Sequence, residues 1–329
     1  MTENFLNRNI VRALLLATGL CVPPPAAAQE YPTRPIRWVV GFPPGGATDL
    51  TARVLAPHAA EQLRQQIIID NRGGAHGNIS ADIVAKSAPD GHTLLLGTIS
   101  ILAINPALYP KLPFDSLRDF APVSILVSLS NVIVAHPSLN VGSVRELITL
   151  AQSRPGRITY ATSGAGSPGH LAGELLKTLA KIDLTHVPYK GGGPAITDLL
   201  SGQVNTMFAT VPTAVPHVRA GKLRALGVTT AKRSIALPEV PTIAEATGFT
   251  AYEANNWYGV LVPAGTSRAI IERLNREFHA ALKVPAARDR LLSQGLEPAP
   301  STPEQFTVYL KTEMIKWGKV ARDAGAKVE

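Results

Sequence analysis

Residues 157–180, RITYATSGAGSPGHLAGELLKTLA, constrain the fold more than any other stretch. Ile158, Tyr160 and Thr162 alternate as on a short strand. Gly164, Gly166 and Gly169 form a turn that lets the main chain approach a ligand closely. Leu171, Leu175, Leu176 and Leu179 then recur at helical spacing. A strand that feeds a glycine turn and a helix aims free backbone N–H groups, and the positive end of the helix, at one point, and the natural occupant is an anion. A second unit of this kind fills residues 36–55, IRWVVGFPPGGATDLTARVL.

The surrounding chain repeats the alternation. Strands are expected at 36–40, 67–69, 93–97, 158–162, 184–187, 204–209 and 223–229. Helices are expected at 49–65, 78–87, 144–154, from His170 onward, at 194–201 and at 213–220. The first three strands and their helices make a βαβαβ unit on a parallel sheet. Residues 123–129 and 131–135 read as two buried strands, or as one long strand crossing between lobes. Ser143 and Glu146 have capping-box spacing. After a strand-like run at 251–261, three amphipathic helices at 267–282, 286–294 and 303–323 close the chain. A chain of 329 residues is long enough for two domains with real cores.

Residues 1–28 read as a secretory leader. Arg8 and Arg12 precede a short apolar run, Pro23 to Pro25 break it, and Ala26, Ala27 and Ala28 fit the small-residue cleavage pattern. The run is too short to span a bilayer, so an exported, soluble protein is expected. The single cysteine, Cys21, lies inside the leader. A lipoprotein would want a small residue where Leu20 stands. The net charge of +8 comes from scattered bases such as Lys86, Arg154 and Lys222, with no polybasic block, so no nucleic-acid partner is expected.

The glycine turn admits two enzymatic readings. Gly164, Gly166 and Gly169 match a dinucleotide fingerprint, but the next strand ends in Val187 and Pro188 rather than in an acid for the ribose. Residues 165–169 resemble a hydrolase nucleophile elbow around Ser167, with Asp198 and His217 following in triad order. Pro168 removes the N–H that would complete the oxyanion hole of that fold. An exported α/β serine hydrolase using Ser167 remains the alternative. The eight histidines show no metal-ligand spacing, and no metal or cofactor is expected. Thr48 and Asp49 have the plain reading of helix caps, and Asp49 with Arg53 that of an i,i+4 pair.

Five motifs together are more specific. They are FPPGGATD from Phe42 to Asp49 with Ala52 and Arg53, NRGGAHG from Asn71 to Gly77, TSGxGSxxHLxGE from Thr162 to Glu174, HVPYKGxxPA from His186 to Ala195, and DLLxGQV from Asp198 to Val204. In this order they resemble the Bug family, the periplasmic substrate-binding proteins of tripartite tricarboxylate transporters, across essentially the whole mature chain. The resemblance implies a two-lobed, Venus-flytrap α/β fold in which each lobe is a mixed sheet flanked by helices. Lobe 1 would hold residues 29–129 and 254–329, and lobe 2 residues 130–253. Two parallel crossing segments, near 126–134 and 250–257, would make the hinge.

The implied protein is a monomeric, non-enzymatic receptor. It takes a small organic carboxylate in the cleft and presents it to membrane transporter subunits, or serves signalling instead. The implied ligand set is Phe42, Gly45, Gly46, Ala47, Thr48, Asp49, Thr98, Ser100, Asn105 and Trp257 from one lobe. From the other come Thr162, Ser163, Gly166, Ser167, His170, Phe208 and Thr210. One departure is visible: residues 207–210, MFAT, lack the acid often found near that phenylalanine.

Overall fold

The structure, a computed structural model, describes residues 31–323. The expected leader and Cys21 lie outside them. Strands β1 (Ile36–Val40), β2 (Ile67–Asn71) and β3 (Thr93–Thr98) pair in parallel in the order β2-β1-β3. Helices α1 (Ala47–Leu63) and α2 (Asn78–Ala85) connect them. β1 and β3 read as nearly continuous apolar runs because helices cover both faces of the sheet. A π-helical turn at Ser100–Ile104 and the short α3 (Asn105–Leu108) follow β3.

The expected pair of strands at the first crossover is one strand, β4 (Phe120–Ala135). Its first part pairs with β9 (Asn255–Pro263), which in turn pairs with β3. Its last five residues pair with β7 (Thr206–Thr210) instead. A second parallel unit hangs from β7, with β5 (Thr159–Thr162) in the centre and β6 (Thr185–Pro188) at the edge. The path through the sheet is β2-β1-β3-β9-β4-β7-β5-β6, and β8 (Arg224–Val228) and β10 (Leu296–Pro298) both pair with β4. The crossing segments β4 and β9 are antiparallel, not parallel as expected, because the chain leaves the first half on one and returns on the other.

Helices α4 (Val144–Ser153), α5 (Pro168–Ala180), α6 (Gly192–Leu200), α7 (Val211–Arg219) and α8 (Ile243–Thr247) belong to the insertion between β4 and β9. The chain closes with α9 (Arg268–Lys283), α10 (Pro285–Ser293) and α11 (Pro303–Asp323). On α9, Leu274, Phe278 and Ala281 form the buried stripe that an amphipathic helix presents to a sheet. Phe278 meets Trp38 of β1 edge-on, with ring centroids 5.0 Å apart. The opposite face of the sheet carries a core that runs through both halves, from Leu95 and Trp257 to Tyr160, Leu171 and Phe208, with Phe306, Leu310 and Trp317 of α11 among its members.

The cap at Ser143 is half of the expected box. Ser143 accepts the Glu146 N–H, but the Glu146 carboxylate reaches one residue further back, to the Gly142 N–H. The complete box is at Thr242 and Glu245, which start α8, a helix too short to show a period in the sequence. Among the described residues no helix is long and apolar enough to cross a membrane.

Candidate functional site

The C-terminal ends of β1, β3, β5 and β7 and the segments that follow them carry the implied ligand residues, except Trp257, which lies on β9. Such ends are where an open α/β sheet binds ligands. Between β1 and α1, Phe42 is half-buried and its carbonyl accepts from Asn71 Nδ2 at 3.0 Å. Gly45 has φ +85°, a region open to glycine. Asp49 holds this loop. It is buried, and its carboxylate accepts from Gly45 N at 2.9 Å, Arg53 Nε at 2.8 Å and Asn71 Nδ2 at 3.1 Å. Burial pushes the Asp49 carboxyl up, but those three donors and the Arg53 charge outweigh it and hold the group below its usual range. Gly46 is the N-cap of α1 and brings no side-chain acceptor. The first-turn amides of α1, next to Ala47 and the buried Thr48, therefore receive no side-chain cap.

After β3, Thr98 and Ser100 are buried, and Thr98 Oγ1 accepts the Ile101 N–H at 3.3 Å, the start of the π-helical turn. Asn105 donates through Nδ2 to Asn78 Oδ1 at 2.6 Å and to the His76 carbonyl at 3.2 Å, while its buried Oδ1 has no partner. Trp257 on β9 is packed edge-on against Phe306, and its buried Nε1 is also unpartnered. Buried polar atoms of this kind are normally bonded.

The second glycine loop spends its amides differently from the expectation. Gly166 N–H donates to His170 Nδ1 at 3.0 Å, Ser167 N–H to the Gly164 carbonyl at 3.1 Å, and Gly164 N–H to Thr162 Oγ1 at 3.2 Å. Three amides of this turn are thus consumed inside it, that of Gly166 because His170 on the first turn of α5 folds back over the loop. Ser167 is the N-cap of α5 and accepts the His170 N–H at 3.3 Å. Its neighbour Ser163 is half-buried, and the Ser163 carbonyl accepts from Gly191. Gly169 leaves room for the Phe208 carbonyl, which would lie 2.5 Å from any Cβ there. Thr210 opens α7, with its hydroxyl 2.9 Å from that of Thr213.

Beneath this loop lies a buried polar stack. His170 and His186 are stacked with centroids 4.0 Å apart, and Tyr160 stacks on His186. Thr162 Oγ1 is 2.8 Å from His186 Nε2, and Tyr160 donates to Glu174, which also pairs with Lys177. Burial, with help from His170 and Lys177, drives the His186 pKa down to about 3, and burial likewise lowers that of His170. Both rings are neutral at pH 7, as the Gly166-to-His170 bond requires of Nδ1. The triad order Ser167, Asp198, His217 is not assembled: the Asp198 carboxylate accepts from Tyr189 Oη at 2.7 Å.

The expected set omits His76. It sits in the β2–α2 loop with its ring against Gly164 of the second half; a Cβ at Gly164 would be 2.7 Å from His76 Nε2. The glycines on both sides of Ala75 and His76 were the available signal. His76 thus touches both sets of loops.

The family described as "Tripartite tricarboxylate transporter family receptor" matches residues 51–326. Protein BugT of Bordetella pertussis is 40% identical over 97% of this chain and 98% of its own length. Among solved structures, Rpa4515 of R. palustris with adipate superposes with a TM-score of 0.86 at 40% identity, covering 91% of this chain and 100% of that one. MatC of Rhodopseudomonas palustris with bound malate gives a TM-score of 0.80 at 33% identity, covering 88% of this chain and 99% of that one.

Proposed function

The chain belongs to the tripartite tricarboxylate transporter receptor family, the Bug proteins, and we propose that it is a periplasmic receptor that captures a small organic dicarboxylate between its lobes and delivers it to a membrane transporter. The carrying observation is that two strand–loop–helix units lie one in each half of a single sheet, and that the β2–α2 loop beside the first meets the glycine loop of the second at His76 and Gly164. One carboxylate fits the uncapped start of α1, where backbone N–H groups and the helix end hold an anion without an arginine. Asn105 Oδ1 and Trp257 Nε1 fit bridging waters or a polar group further in. The relatives bound to adipate and malate support this ligand class. Lobe 1 comprises residues 29–129 and 254–329 and lobe 2 residues 130–253. The leader at residues 1–28 supports export to the periplasm.

A thermal-shift screen of the purified protein against adipate, malate, citrate and aromatic acids tests the reading. A dicarboxylate at a hundred times its Kd adds about 2.7 kcal/mol to stability, and chromogenic esters are not turned over. Ester turnover lost in Ser167→Ala would replace the receptor by the hydrolase.

A further inference from the structure

The loop between β2 and α2 holds an unusual backbone. Gly74, Ala75, His76 and Gly77 all have positive φ, at 128°, 46°, 52° and 90°. Two of the four carry a Cβ, and left-handed backbone is unfavourable for such residues. Strain of this kind persists where the surroundings over-determine it, and it concentrates at functional positions. Here the surroundings are specific. Asn105 Nδ2 donates to the His76 carbonyl, and Tyr109 Oη lies 2.8 Å from His76 Nδ1.

Burial raises the Tyr109 pKa and lowers that of His76, so the phenol keeps its proton and the imidazole is neutral. The phenol and Nδ1 share one hydrogen bond in either tautomer, so the ring is pinned by its Nδ1 edge and its Nε2 edge points away from Tyr109. That edge of the ring lies on Gly164, where φ is +141° and any Cβ would meet Nε2 at 2.7 Å and Cδ2 at 3.3 Å. The strained loop thus carries one ring across to the opposite glycine loop, and the opposite loop is bare where the ring lands.

We propose that His76 is the closing contact of the cleft: seated by Tyr109 and Asn105 on one lobe, its imidazole covers Gly164 on the other and sets how long a bound dicarboxylate stays. The proposal rests on the receptor reading above and assigns the residue that governs release. A contact made only when both loops are together favours the closed state and leaves encounter with the open state untouched. Its effect therefore falls on the dissociation rate.

The test compares wild type with His76→Gly, a substitution that suits the left-handed backbone and so keeps the loop. Adipate and malate are the probes, read by stopped-flow fluorescence. Dissociation should speed up about tenfold, the scale of a modest coupling energy, with association within twofold and the ligand-free Tm held or raised. Gly164→Ala should speed release too, and His76→Gly should add little on top of it. Unchanged release in His76→Gly, or fully additive effects of the two substitutions, overturns the proposal. If wild type binds neither acid, the dicarboxylate reading has failed on its own. The contact is then decided without ligand, by the distance distribution between spin labels on the two lobes. Broadening in His76→Gly supports it, and an unchanged distribution overturns it.

Discussion

Replacing Asp49 separates a residue that touches the ligand from one that holds the loop which does. In Asp49→Ala three donors lose their acceptor. The Arg53 pair is worth little, about 0.5 kcal/mol, because that side chain is 54% exposed. Gly45 N–H and Asn71 Nδ2 donate to a buried carboxylate, and bonds to charged groups are worth about 1.5–3 kcal/mol each. Gly45 is exposed, so water recovers much of its share, whereas Asn71 is half-buried and recovers less. The sum is about 2–4 kcal/mol, which lowers Tm by about 3–7 °C in a protein of this size.

Scanning fluorimetry at pH 7 reads the shift, and calorimetry with adipate reads the affinity, which falls about tenfold for each 1.4 kcal/mol of loop order lost. Asp49→Asn keeps an acceptor for Gly45 and should lose about half as much stability. The carboxyl pKa is lowered in the fold, so its contribution is fully present above about pH 4 and fades as pH falls through the folded value. A Tm within about 1 °C of wild type, with adipate binding abolished, would refute this and make Asp49 a direct ligand contact.

Two further outcomes are expected. His186 and His170 have folded pKa values below the unfolded one, that of His186 at about 3, so the unfolded chain binds more protons below about pH 6.5, and for His186 down to about pH 3. Stability should therefore fall on acidification through that window, by up to about 1.4 kcal/mol per pH unit for each ring and less where solvent reaches it; urea titrations from pH 7 to 4.5 should show the slope, and His186→Gln should flatten it. Gly169→Ala drives a Cβ into the Phe208 carbonyl, since the gap is 2.5 Å. It should cost about 1–3 kcal/mol as an overpacked site, and a thermal melt matching wild type would show that α5 does not rest on β7 there.

What the sequence made legible was local. The βαβ units, the glycine turns, the helical C-terminus and the strand character of 123–129 and 131–135 all follow from periodicity and from turn residues within a few positions, while the choice between two strands and one did not. The direction in which β9 returns along β4 was not legible, because strand pairing depends on contacts between residues far apart in the chain. Nor was the fate of the loop amides. Whether Gly166 faces a ligand or His170 is decided by a side chain bending back from the next helical turn. His76 stayed hidden for a similar reason. Its neighbours announce a turn, but its partners Tyr109, Asn105 and Gly164 come from three separate loops. Asp49 was legible as half of an i,i+4 pair but not as a cap: Gly46 is the N-cap, and the Asp49 carboxylate reaches back past it to Gly45 N–H and across to Asn71.

The β4–β9 ladder has a mechanical consequence. The lobes are joined here by strands whose amides are already bonded, with register shifts between Pro122 and Ser124 and between Ile125 and Val127, and a further one where β4 pairs with β8, between Ile133 and Val134. Ser124 at the first shift is fastened to His279 at 3.0 Å and receives the Ser301 N–H at 3.2 Å. Such a joint deforms by torsion of an intact ribbon, and its irregularities are where twist is stored. Opening then costs elastic energy spread over many bonds, and no segment has to melt. The axle of the movement and the slowest-exchanging amides of the molecule should be the same residues.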